Sequence, residues 1–76
     1  VIVVIEPALL HVSPLGHADG PGARLAREIA AIGRPVELVA RVPEGPSGDR
    51  AIVDLGLAGV GHAAVLRVIT GEPGPG

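Results

Sequence analysis

Seventy-six residues make one domain near the lower end of what a single core sustains, and 47% of them are apolar without one Phe, Trp, Tyr or Met. A core of Val, Ile, Leu and Ala buries less area per residue than an aromatic one, so the composition predicts a homo-oligomer. The net charge of −2, six scattered Arg and no base-stacking aromatic argue against a nucleic-acid partner, and the lack of Cys excludes disulfides, thiol catalysis and thiolate zinc.

Residues 1–5 (Val-Ile-Val-Val-Ile) are a continuous β-branched run, the pattern of a strand buried on both faces, ended by Glu6-Pro7. The run is far too short to span a bilayer and lacks the flanks of a signal peptide, so no membrane association is expected. Residues 11–22 read as a turn-rich loop, with Asp19 placed to cap the helix that follows and Pro21 in its first turn. Over 21–32, Leu25, Ile29 and Ile32 recur at helical spacing beside Ala26 and Ala30, and Gly33 and Pro35 stop the helix. A second strand follows at 36–42, then a long turn at 43–48. A second helix over 49–58 carries Ile52 and Leu55 on one side. A third strand at 64–69 leads into a Gly/Pro tail at 71–76.

Strands alternating with helices imply right-handed crossovers. The expected fold class is therefore α/β: a three-stranded parallel sheet in β-α-β-α-β order, a Rossmann-like half, formed by one domain over 1–70. Ligands in such sheets sit at the carboxyl ends of strands, here 6–11, 43–48 and 70–72.

Gly20-Pro-Gly22 stands at a helix start, where exposed N–H groups and the positive helix end favour an anion; Asp-Gly-Pro-Gly is also an ordinary turn. It is not a Walker loop, because no Lys follows, nor the dinucleotide fingerprint, because the third glycine is missing. No metal site is expected: His11, His17 and His62 never stand four apart and read as solvated loop residues. Glu6 reads as a solvent-facing strand end that is well placed for a functional carboxylate. Ser13 and Ser47 read as turn residues that bond backbone. No catalytic group and no cofactor are expected.

Asp19-Gly-Pro-Gly-Ala-Arg-Leu-Ala26, running into Ile32-Gly33, resembles the Gly-Gly-x-x-x-Asn-x-Ala…Leu-Gly segment of ribokinase-like (PfkB) carbohydrate kinases. Val39-Ala-Arg-Val-Pro-Glu-Gly-Pro-Ser-Gly-Asp49 is similar to that family's Val-Gly-x-Val-Gly-x-Asp-x-x-Gly stretch. Leu57-Ala-Gly-Val60 with Val65 is similar to its following Leu-x-x-x-Gly-Val…Val. The likeness covers most of residues 1–70 and matches at Gly20, Gly22, Ala23, Ala26, Gly33, Gly48, Gly59 and Val60.

The resemblance implies a substrate-side half. The family's sugar-binding Asp is His11 here, its first motif glycine is Asp19 and its substrate-contacting Asn is Arg24. The glycine and acid after the second strand are Pro43 and Glu44. Residues 12–18 leave no room for the family's sheet-like lid, and the segment holding its catalytic Asp and ATP site is not in the chain. The expected function is a non-catalytic module binding a small polar or anionic molecule near His11, Gly20, Gly22 and Arg24. Alternatives are a structural or self-assembly module, and one half of a sugar or nucleoside kinase whose ATP-binding half is another chain.

Only twelve residue types occur, with Cys, Phe, Lys, Met, Asn, Gln, Trp and Tyr all missing. A GC-rich gene accounts for the loss of Lys, Asn, Phe and Tyr but not of Gln, Trp and Met. A piece of such a gene and a deliberately simplified sequence both fit. Nothing in the chain assigns a compartment; for a natural protein the expectation is the cytoplasm.

Overall fold

A computed structural model describes residues 1–69, so the tail expected at 71–76 lies outside the described residues. The elements are β1 (Ile2–Leu9), β2 (His11–Val12), β3 (Ala18–Asp19), α1 (Pro21–Ala31), β4 (Val36–Pro43), α2 (Pro46–Leu57) and β5 (Val65–Val68). β1, β4 and β5 form the expected three-stranded parallel sheet, with β4 in the middle. The segment expected as a plain loop contains a small antiparallel hairpin, in which His11 pairs with Asp19 and Val12 with Ala18. Its turn is closed by Gly16 N–H donating to Ser13 O at 2.8 Å.

Each crossover steps the chain in the same direction across the sheet, so two right-handed connections place both helices on one face. Burial follows this. Val36, Leu38, Ala40 and Val42 of β4 are buried at every second position, together with Val4 and Val65 on the flanking strands. Ala51, Ile52 and Leu55 of α2 pack onto them, and the core is closed by Leu10, Ala18 and Val60.

β1 is not buried on both faces as its apolar run predicts. With helices on one side only, Val3 and Ile5 remain 55% and 67% exposed on the other. β1 also runs past Glu6-Pro7 to Leu9. Its regular pairing, Ile2↔Val36 to Ile5↔Val39, breaks and resumes at Leu9↔Arg41. Pro7 falls in this irregular stretch of an edge strand, where its missing N–H removes no ladder bond from a central strand.

α1 likewise turns a different stripe to the sheet. Its buried residues are Gly22, Ala23 and Ala26, with Ile29 and Ala30 partly covered, while Leu25 and Ile32 stay exposed. The small stripe lets the helix backbone approach the strands, and a Leu at the same place would hold it off.

α2 begins three residues earlier than its periodicity suggests, at Pro46, so the expected turn over 43–48 is shorter. Gly45 takes φ 118°, a value that favours glycine, and Pro46 starts the helix. A Cβ on Gly48 would overlap the Pro43 carbonyl, so glycine is required for α2 to start this close to the end of β4. Among the described residues, no helix is long and apolar enough to cross a membrane.

Candidate functional site

Glu6 is the last residue of β1 on the helix-covered face, two positions beyond Val4, and that alternation drives its side chain under the first turn of α1. It is 9% exposed, and its Oε1 accepts the N–H of Gly22 at 2.7 Å. The N-cap residue Gly20 has no side chain with which to cap α1, so a carboxylate from the sheet satisfies a helix-terminal donor instead. The solvent-facing Glu6 expected from sequence is therefore corrected: it is buried because the strand reaches beneath the helix start. Gly20 and Gly22 are the floor of this arrangement. A Cβ on Gly22 would lie 2.9 Å from both Glu6 Cβ and Glu6 Oε1, and one on Gly20 would lie 3.1 Å from Glu6 Oε1. The Gly22 N–H expected to favour an outside anion already holds an internal one.

Outside this contact, Asp19 Oδ1 accepts the Gly20 N–H at 2.9 Å and a bond from Arg24 Nη2 at 3.3 Å. The Gly20 N–H, and then the Arg24 guanidinium, hold the Asp19 carboxyl below the ordinary carboxylate range. Asp19 thus bonds the residue just after it and does not reach into the first turn, as a helix cap would. Asp19, Gly20, Pro21, Arg24, Leu25 and Glu28 line an open cleft of about 490 Å³. Of the four residues expected at a ligand site, Gly20 and Arg24 line this cleft. Gly22 is buried against Glu6, and His11 flanks the cleft only as the strand partner of Asp19. The cleft offers two carboxylates and a guanidinium beside an apolar wall, a set that exchanges hydrogen bonds with hydroxyls. Among the described residues, no nucleophile with an adjacent base lines it.

A second cluster escapes sequence reasoning. Asp54 of α2 bonds Arg27 of α1 through Oδ2, and its Oδ1 lies 3.4 Å from His17 Nδ1 in the β2–β3 turn. The three residues tie both helices and the hairpin together, although 27 and 37 residues separate the partners of Asp54. The one sequence signal was an acid set between Val53 and Leu55 in an otherwise apolar stretch. His17 stays exposed, as expected of a loop histidine, but is anchored. Beside it, Leu15, His17, Arg50, Val53 and Leu57 line a shallow cleft of about 300 Å³. Ser13 keeps the expected turn role, its Oγ accepting the His17 N–H at 3.1 Å. Among the described residues, no group of three His, Asp or Glu could hold a metal ion.

The third feature is the sheet face that no element among the described residues covers, the bare face. Register places Val3 beside Glu37, Ile5 beside Val39, and Leu66 beside Arg41, all pointing away from the helices. Apolar residues therefore occupy its middle, and the two charges sit above and below Val39 on the central strand.

No family model matches the chain, and no curated protein matches it.

Proposed function

We propose that this chain is a non-catalytic α/β half-unit that works by docking through the bare face of its parallel sheet. One observation carries this reading. Parallel sheets are stable when both faces are covered, and here Val3, Ile5 and Leu66 on the second face each keep more than half of their surface exposed. The resemblance to the substrate side of PfkB-type carbohydrate kinases agrees with it, since such a half needs a further layer supplied from elsewhere, including from a chain that carries an ATP site. The chain offers no Lys and no Gly-x-Gly-Asp segment, so its cations are Arg alone and the family's catalytic motif gives no support to a phosphoryl-transfer reading.

The test is a pair of substitutions, Ile5→Asp and Leu66→Asp. Both are expected to keep the circular dichroism spectrum and to remove association or apolar-dye binding. Unfolding of both variants would mean that these positions belong to the core, and the reading would fall.

A second reading concerns the cleft at the start of α1. A small, uncharged, hydroxyl-rich molecule suits Asp19, Gly20, Arg24 and Glu28 there, with His11 at the margin and Gly22 beneath. Glu6 makes a phosphate or other anion the poorer ligand, because its carboxylate is already at the helix start. Titration with ribose, adenosine and inorganic phosphate, followed by amide shifts, should move Gly20 and Arg24 with the first two and not with phosphate. Saturable shifts with phosphate alone would reject this reading.

A further inference from the structure

We infer that the bare sheet face is occupied by a second copy of this chain, stacked so that Glu37 of each copy meets Arg41 of the other. This inference rests on the docking reading above and names the partner.

Glu37, Val39 and Arg41 point to the open face at alternate positions of β4, so the two charges lie about 13 Å apart with Val39 midway. A two-fold axis through Val39, lying between the sheets and perpendicular to the strands, reverses strand direction from one copy to the other. It then sets Glu37 opposite Arg41 twice, with Val39 facing Val39 and Ile5 facing Ile5. The alternative stacking, with the axis along the strands, sets Glu37 on Glu37 and Arg41 on Arg41 and is opposed by like charges. The patch is thus self-complementary in one orientation only, as a closed isologous contact requires.

In the single chain the two side chains lean to opposite sides of β4, and both turn inward to make this pair. Arg41 is exposed and donates from Nη2 to Pro7 O at 2.7 Å on the β1 side, which leaves further N–H groups for a carboxylate. The Glu37 side chain lies across Gly61 on the β5 side, where a Cβ would collide with it, and no hydrogen bond among the described residues ties its carboxylate there. Around the charges, Val3, Ile5 and Leu66 supply the apolar contact, and facing sheets packed about 10 Å apart bring their side chains into register.

Sedimentation velocity of the full chain tests this, with Arg41→Glu, Glu37→Arg and the double exchange. The expected result is a reversible dimer, weakened by about tenfold or more in Kd by either single reversal and restored in the double exchange, because the ion pair re-forms with its signs swapped. A dimer indifferent to both single reversals overturns the inference, because the copies then meet elsewhere. A monomer at every concentration overturns it as well. In that case apolar-dye binding separates the two readings: dye bound by the monomer and lost in Ile5→Asp keeps the face as a docking surface for a different protein, whereas no dye binding removes the docking reading too.

Discussion

Glu6 and Gly22, sixteen residues apart in sequence, meet where the end of β1 passes under the start of α1, carboxylate oxygen to amide nitrogen at 2.7 Å. The contact joins the edge strand of the sheet to the first turn of the helix that covers it. It needs a glycine on one side and an acid on the other.

Replacing either partner should therefore destabilise the fold. Glu6→Ala leaves the Gly22 N–H buried without its acceptor, a loss of about 1–3 kcal/mol. Gly22→Ala places a methyl 2.9 Å from Glu6 Cβ and Oε1 and should cost about 1–3 kcal/mol through overpacking. The two changes share one contact, so urea melts of the double variant should show less than the sum. Full additivity would mean that the contact contributes little.

Gly48→Ala should be more damaging than Gly56→Ala, although both glycines lie in α2. A Cβ at 48 overlaps the Pro43 carbonyl, which is backbone and cannot turn away, whereas one at 56 meets only the His62 ring at 3.2 Å. Gly56→Ala removes an exposed glycine from the last turn of α2, where the exposed His62 ring can turn aside, and should stabilise by at most about 1 kcal/mol. Thermal melts that rank the two variants in the opposite order would contradict the observed approach of α2 to β4.

Asp54 neutralises Arg27, whose Nε is buried without a hydrogen-bond partner among the described residues. Asp54→Ala leaves the guanidinium unpaired and should cost about 1–3 kcal/mol. His17→Ala removes only an exposed 3.4 Å contact and should stay within about 1 kcal/mol of the parent. Arg27→Met, which removes the charge and keeps the stem's packing, should recover part of the loss in the Asp54→Ala background. Absence of any recovery would show that Asp54 acts in another way.

Acid stability should carry a signature of Asp19. Its folded carboxyl titrates below the ordinary value of 3.8, because the Gly20 N–H and Arg24 favour the charged form. The folded state thus binds fewer protons than the unfolded chain in that range. Its contribution is present above about pH 4 and is lost as the pH falls through the lowered folded value. Asp19→Asn keeps an oxygen for the Gly20 N–H and removes the titration, so its stability should fall less steeply below pH 4. Parallel acid limbs for the two proteins would remove Asp19 from the account.

Much of the architecture is legible in the sequence, for a local reason. The β-branched run at 1–5, the apolar stretch at 36–42 and the spacing of Ile52 and Leu55 each report a local backbone preference, and Gly33 and Pro35 mark a helix end without reference to anything distant. Parallel strands joined by helices follow from that order and from crossover handedness. What needed the tertiary structure are relationships across the chain. Periodicity marks Leu25, Ile29 and Ile32 as the apolar side of α1, but only the sheet beneath decides that Gly22, Ala23 and Ala26 go inward and Leu25 stays out. A uniform run such as Val-Ile-Val-Val-Ile cannot say which of its faces is covered, because burial depends on the number of helical layers. Glu6 and His17 read singly as solvent-facing groups, and Arg27 and Asp54 carry no local signal; their roles arise because folding brings partners 16 to 37 residues away into hydrogen-bond range.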